Sequence, residues 1–451
     1  MDEATENQPK QEMGHYRPYP ECKGSGVEWL GAIPAHWQTK RLKYVAPLSH
    51  ERVSVLRSDV PYVALEHIES GTGKLVADAE PEGAESTTTI FRPGDVLFGK
   101  LRPYLAKVLR PTFAGACSTE LLVLRGEGQI DPSNLAYQLL SPGFIYWVNS
   151  MTYGTKMPRA NPEQVAGTEV ALAPFDEQRA IAAFLDRETH RIDALIEKKE
   201  RLIELLQEER TALITRAVTK GLDPDAPMKH SGVEWLGKIP AHWEIVALKR
   251  TARASYKTFT DGDWIELPFI EDEGIRLIQT GNVGIGHYKE QGFRYISDET
   301  FKKLWCTEVV PRDVLVCRLD GPVGRACLAP DLGVRMITSV DNTILKVDKV
   351  RGDPRYLVYF MTTESWLEWI QAICRVGGGF RFRVSRLMLG DLPVTLPPLQ
   401  EQEQIANLLD EETEKTTRLT MKIRDAIDHL KEYRTALISA AVTGKIDVRN
   451  G

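Results

Sequence analysis

The residues of this chain best suited to do chemistry are cations interleaved with aromatics and glycines. Lys100-Leu-Arg102-Pro-Tyr104-Leu-Ala-Lys107 is one such run, and Tyr153-Gly-Thr-Lys156-Met-Pro-Arg159 is another. Two more occupy corresponding places in the second half: Arg318-Leu-Asp-Gly-Pro-Val-Gly-Arg325 and Gly377-Gly-Gly-Phe-Arg381-Phe-Arg383. Glycine lets a backbone approach a ligand closely, while Arg and Lys hold phosphate oxygens and Arg can fork onto a guanine edge. One arginine-rich loop is ordinarily a solvated surface. Its recurrence at equivalent points of two halves argues for a DNA-contacting role of Lys100, Arg102, Tyr104, Lys107, Lys156, Arg159, Arg318, Arg325, Arg381 and Arg383. Which of them meet bases rather than phosphates does not follow from residue type.

Bond-making chemistry has no comparable signature. A phosphate-cradling G-x-x-x-x-G-K-[ST] loop is absent, and Gly71-Thr-Gly-Lys74 lacks both its leading glycine and its trailing hydroxyl. A methyl-donor enzyme acting on a base would show Asn/Asp-Pro-Pro-aromatic, which Asn161-Pro162-Glu163-Gln164 does not match. No G-x-S-x-G, H-E-x-x-H or paired-cysteine site occurs, so neither a catalytic residue, a metal site nor a cofactor of its own is expected. The six cysteines are scattered and read as reduced, mostly core residues.

Net charge is −6, which speaks against a binder that relies on bulk positive charge and leaves only a local cationic groove possible. The start of the chain is acidic and polar, and no run of about 18 apolar residues occurs, so a cytoplasmic protein without a membrane span is expected. At 451 residues, two or three domains are expected, with residues 1–24 and 446–451 as tails.

Two pairs of matched segments organise the rest. Residues 25–37, SGVEWLGAIPAHW, and 231–243, SGVEWLGKIPAHW, differ only at Ala32 and Lys238 and lie 206 apart. The stretches beginning PFDEQRAIAAFLDRET at Pro174 and PLQEQEQIANLLDEET at Pro398 lie 224 apart and end on RTALITRAVT and RTALISAAVT. What lies between the matched blocks diverges almost completely. A shared frame with two unlike inserts is what a duplicated reader of two different targets would look like; drift alone would erode both parts alike.

The elements needed to position the cations can be read coarsely. The W-L-G-x-I-P-x-H-W block predicts a turn with aromatic anchors, and Trp29, Trp37, Trp235 and Trp243 are candidates for docking a partner or the frame. His36 and His242 read as packing residues. The middle regions, 38–173 and 244–397, predict mixed α/β domains: strands at Val96–Phe98, Glu120–Leu124, Val314–Val316 and Thr343–Val347, and helices at Asn134–Leu140 and Tyr356–Met361. Each end block lacks proline for more than forty residues and predicts a helix on the order of 65 Å long. An a/d seam through Leu419, Ile423, Ala426, Leu430, Tyr433 and Leu437, matched by Leu195, Leu202, Leu206 and Leu213 with Lys199 and Glu209 interrupting it, predicts that the two helices pair within the chain, with pairing to a second protein as the rival reading. The expected order is therefore recognition domain 25–174, helix 175–221, linker 222–230, recognition domain 231–398 and helix 399–445.

W-L-G-x-I-P-x-H-W, a variable insert, P-x-x-E-Q-x-x-I-A-x-x-L-D, and then R-T-A-L-I-x-x-A-V-T, twice over, resembles the specificity subunit of Type I restriction–modification systems. The resemblance implies an α/β fold of two target-recognition domains in pseudo-two-fold repeat, separated by two long antiparallel coiled-coil helices. It implies that each domain reads half of a bipartite, asymmetric site in double-stranded DNA while the helices set the spacer. It further implies two modification (methyltransferase) subunits and two restriction subunits as partners, which bring S-adenosylmethionine, ATP and magnesium; the chain itself holds no cofactor and no catalytic centre. Half-sites read on one DNA face are expected about one helical turn apart. The residues leave open a recognition fragment of a fused restriction–methylation enzyme, and a coiled-coil scaffold that does not bind DNA.

Overall fold

The computed structural model describes residues 16–53, 60–76, 88–126, 128–319, 321–377 and 381–449, with backbone alone at 375–377 and 381. The chain divides into two compact units, one of residues up to 200 with those from 423 onward, the other of residues 201–422. Both long helices form: α1 spans Phe175–Lys220 and α2 spans Leu399–Val442. Pro174 and Pro398 sit just before them, where the missing N–H costs nothing. Asp176 and Glu177 in the first turn of α1 and Lys220 in its last turn complement the helix dipole. Gly221 and Gly444, at φ of 77° and 69°, supply the left-handed backbone that turns the chain off each helix.

In unit 1, Asp193 of α1 meets Arg434 of α2, and Gly444 beyond the end of α2 lies over Trp37, whose indole touches Glu177 at the start of α1. The two helices therefore run antiparallel there. In unit 2, Leu213, Ala217 and Val218 of α1 share a core with Ile405 and Leu409 of α2, and Gly221 approaches Glu401. Each unit is thus built on the start of one long helix and the end of the other.

The seam keeps to the heptad reading at Ile423 and Leu437, which are buried, and at Leu430 and Tyr433, which pack on the same core, and departs from it elsewhere. Leu195 and Leu202 are 40% and 44% exposed, and Leu419 is 41% exposed. Ile192 is buried and Ile196 packs beside it, while Ile423 and Ile427 are buried on α2. Leu195 and Leu202 each precede an isoleucine, Ile196 and Ile203, by one position, which is about 100° around a straight helix. On α1 the buried stripe follows the isoleucines.

Each insert enters and leaves its unit through one antiparallel strand pair. Gln38–Arg41 pairs with Glu169–Leu172, and Glu244–Ala247 pairs with Pro393–Leu396. The shared motif forms a hairpin in each unit, Cys22–Gly24 with Ala32–Pro34 and Met228–His230 with Lys238–Pro240. Insert 1 carries a three-stranded sheet ordered Leu121–Arg125, Asp95–Gly99, Val108–Leu109 and a separate four-stranded sheet. Insert 2 carries a four-stranded sheet ordered Phe259–Asp261, Asn342–Leu345, Val314–Cys317, Ala326–Leu328 and a three-stranded one. The expected helices appear as Pro132–Leu140 and Pro354–Met361, N-capped by Asp131 and Asp353.

The segments read as tails are packed where the structure describes them. Tyr19 is buried, Cys22–Gly24 is a strand, and Ile446 and Val448 are buried. Arg17 bridges to Asp447 backbone to backbone, so these apolar side chains complete the core of unit 1 rather than hang from it.

Candidate nucleic-acid interface and the frame beneath it

The two shared blocks of each repeat meet at one carboxylate. Glu177 accepts from Trp37 Nε1 at 3.1 Å and Tyr19 Oη at 2.6 Å, and its other oxygen lies 2.8 Å from His36 Nε2. Glu401 accepts from Trp243 Nε1 at 3.0 Å and lies 2.7 Å from His242 Nε2. Trp37 and Trp243 are 1% and 0% exposed, so the H-W pair is a clamp on the first turn of its helix. Desolvation pushes the Glu177 carboxyl up, but the hydrogen bonds from Tyr19, His36 and Trp37 together outweigh it and hold the group below its ordinary range.

The next residue fastens the insert. Gln178 accepts from Asp131 N and donates to Gln129 O and Ala173 O; Gln402 accepts from Asp353 N and donates to Arg351 O and Pro397 O. Both are buried, and all bonds are 2.8–3.0 Å. About two turns on, Tyr137 donates to Asp186 and Tyr359 to Asp410, both at 2.7 Å. These Glu, Gln and Asp residues carry the frame, and sequence reading missed them. Their signal was polar identity inside the matched P-x-x-E-Q…L-D blocks, where an exposed helix face would have been free to differ.

The cationic runs of each insert are brought together by backbone pairing. In unit 1, Arg102 N donates to Pro158 O at 2.7 Å, Ala160 N donates to Lys100 O at 2.8 Å, and Leu101 bridges to Arg159. In unit 2, Val384 N donates to Arg318 O at 3.1 Å and Leu319 bridges to Arg383. Each insert therefore presents a composite surface of two loops. On unit 1, left-handed backbone at Arg102 and Ala106 flanks a short 3-10 turn that puts Tyr104 51% exposed. Tyr153 and Lys156 are exposed from the facing loop. Lys100 and Arg102 are half-buried, and Arg159 lies 3.3 Å from Glu120.

Three of the cations face inward, correcting the sequence expectation. Arg318 is 4% exposed: it donates to Val384 O and Val340 O and pairs with Asp261 at 3.3 Å. Burial pulls its guanidinium below the ordinary range against the pull of Asp261. Arg325 is 6% exposed and donates to Val283 O, Leu319 O, Pro322 O and Thr280 O. A guanidinium carries five donors, so a curl of loop carbonyls can satisfy it with no DNA present. Lys107 is half-buried, with its ammonium donated to Leu65 O and Ile68 O at 2.6 and 2.9 Å. Arg383 stays exposed and pairs with Asp341 at 2.7 Å. The side chain of Arg381 and the glycines at 378 and 379 lie outside the described residues.

The remaining tryptophans divide. Trp29 donates to Glu169 O at 3.2 Å and meets Phe144 edge-on, while Trp235 stacks on Trp369 at 5.6 Å and 28°. Both are half-buried against their own inserts. Among the described residues no helix is long and apolar enough to cross a membrane.

No family model matches the chain. It is 21% identical over 441 residues to the Type I restriction enzyme MjaVIII specificity subunit of Methanocaldococcus jannaschii, covering 93% of this chain and 95% of that one. It is 31% identical to the EcoDI specificity subunit of Escherichia coli over 157 residues, 34% of each chain. Among solved structures, a chain from a study of complex assembly and conformational transition of the type I R-M system matches with a TM-score of 0.70 at 20% identity, over 91% of this chain and 98% of that one. The HsdS subunit of Thermoanaerobacter tengcongensis matches with a TM-score of 0.56 at 20% identity, over 92% and 98%. The resemblance read from the repeated blocks is thus borne out by curated relatives and in fold.

Proposed function

We propose that this chain is the DNA sequence-specificity subunit of a Type I restriction–modification complex, a non-catalytic cytoplasmic protein. Recognition domains at 25–174 and 231–398 read the two halves of a bipartite, asymmetric site, and the helices 175–221 and 399–445 set the spacer. Two modification subunits and two restriction subunits complete the assembly and supply its catalytic centres. One observation carries this reading: the same Glu-His-Trp clamp occurs twice, and each copy holds an unlike insert whose two cationic loops are paired into one surface. Cation and tyrosine side chains on such a surface can hold phosphates and read base edges. Lys100, Arg102, Tyr104, Lys156 and Arg159 are the contact residues proposed for the first half-site, and Arg381 and Arg383 for the second.

The test is to express the chain with its modification subunit in a host lacking adenine methylation and to sequence the modified DNA. The expected result is a single motif of two unlike halves separated by a constant unspecified spacer. Scattered methylation, or methylation by the modification subunit unchanged without this chain, would contradict the reading.

A further inference from the structure

Between the two pairs of shared blocks the offset rises from 206 to 224, so insert 2 is 18 residues longer than insert 1. Insert 2 holds a small core of its own, formed by Ile275, Leu277, Ile296, Cys306 and Ile337 with Ile265, Ile270, Phe301 and Leu304 packed on it. The edge of this lobe leaves large rings in solvent: Tyr256 is 86% exposed, Trp264 71% and Trp305 83%. Clustered exposed rings mark a contact surface far more often than scattered ones do.

The three segments that carry the rings are held near one another. Lys257 Nζ donates to Trp305 O at 3.2 Å and lies 5.9 Å from the Tyr256 ring centre. Asp263, next to Trp264, accepts from Thr307 N at 2.8 Å, which draws the 263–264 and 305–307 segments together and turns that carboxylate away from solvent. Lys257 and Trp305 both adopt left-handed backbone, at φ of 56° and 51°. That conformation is strained for a bulky residue.

Charge divides the face. The segment 248–260 contains Lys249, Arg250, Arg253 and Lys257 and no carboxylate, and Lys302 and Lys303 are exposed just before Trp305, whereas Asp261, Asp263 and Glu266 flank Trp264, so the Tyr256–Trp305 side is the cationic one. The patch is also continuous with the composite loop surface. Phe259–Asp261 leads into it, Asp261 pairs with Arg318 and Arg386, and Asp263 bridges to Ser339, two residues from the Asp341 that holds Arg383.

We propose that the Tyr256–Trp264–Trp305 face, with Lys257 at its centre, is an additional duplex-DNA contact on the second recognition unit, with no counterpart among the described residues of the first. Lys257 and its neighbouring cations hold backbone phosphates, and the rings lie against deoxyribose and base edges. This rests on the DNA-reading role argued above. It gives the second half-site a longer footprint than the first.

The full chain bound to its modification subunit is titrated with a labelled duplex carrying the motif found by methylation sequencing, and with a scrambled duplex. W264A/W305A is expected to weaken binding to the motif duplex about tenfold. K257Q is expected to reduce the salt dependence by about one phosphate contact. Motif duplex is expected to shield the exposed tryptophans from iodide quenching in the unsubstituted complex. Because these side chains lie in solvent, the melting temperature should not move. Unchanged affinity, salt slope and quenching would overturn the proposal. So would a loss seen only in association with the modification subunit without DNA, which would make the face a protein interface. If the unsubstituted complex does not prefer the motif duplex over the scrambled one, the DNA-reading role itself fails, an outcome distinct from both.

Discussion

Both units close the same clamp, but to different depths. Glu177 has a side chain 6% exposed and three partners, whereas Glu401 is 23% exposed and has two. The third partner is Tyr19, supplied by the segment before the first hairpin. The helix ends diverge further. Arg434, 6% exposed, donates to Gly71 O and Thr72 O at 2.9 Å, and its Nε lies 3.1 Å from Asp193, which also pairs with Lys74 at 2.8 Å. Its counterpart Arg210 is half-buried and has no ion pair among the described residues, and Thr417 stands where the repeat would place an acid. The repeat has kept the clamp and the Gln and Asp bonds that fasten each insert to the start of its helix. The contacts farther along the helices, Arg434 to Asp193 and to the loop at Gly71 and Thr72, are not repeated, so one scaffold can carry two unlike readers.

The largest effect should be the one the units share. Trp37→Ala and Trp243→Ala each empty a fully buried indole site and should cost about 3–5 kcal/mol in urea unfolding. A clear inequality between them would show that the clamps are not equivalent. Next comes the insert contact. Arg434→Met strands two carbonyls and Asp193 and should cost about 2–4 kcal/mol, whereas Arg210→Met should stay within about 0.5. Equal losses would erase the asymmetry.

The clamp carboxylates should rank below these. Glu177→Gln should cost about 1–3 kcal/mol, and Glu401→Gln less, because Glu401 has fewer donors and more solvent. The Glu177 carboxyl is held below its unfolded value, so its contribution is fully present above the ordinary carboxylate range and is lost as pH falls through the lower folded value. A series of unfolding midpoints from pH 7 down to pH 3 should therefore fall less steeply for Glu177→Gln than for the parent. The smallest effect sharpens the comparison by repair: Thr417→Asp, opposite Arg210 by the repeat, should stabilise unit 2 by less than about 1 kcal/mol.

Much of this architecture was legible in the sequence because repetition reveals what periodicity alone does not. The long helices follow from proline-free blocks between Pro174 and Gly221 and between Pro398 and Gly444. The strands at Asp95–Gly99 and Val314–Cys317 follow from apolar runs after a turn. The direction of a side chain was not legible. Arg318 and Arg325 look like surface cations by composition and become buried only because loop carbonyls curl around them, a non-local fact. Leu195 and Leu202 fit a heptad, yet the neighbouring isoleucines take the buried side. The clamp was missed for the same reason: Glu177 lies 140 residues from Trp37, and no local pattern pairs them.

The central claim is that the inserts read and the frame only holds. Replacing residues 38–173 by the insert of another specificity subunit, at the same strand-pair junction, and sequencing the adenine methylation tests this most directly. The account predicts that one half of the modified motif changes while the other half and the spacer stay as they were. An unchanged motif, or a change in both halves, would contradict it.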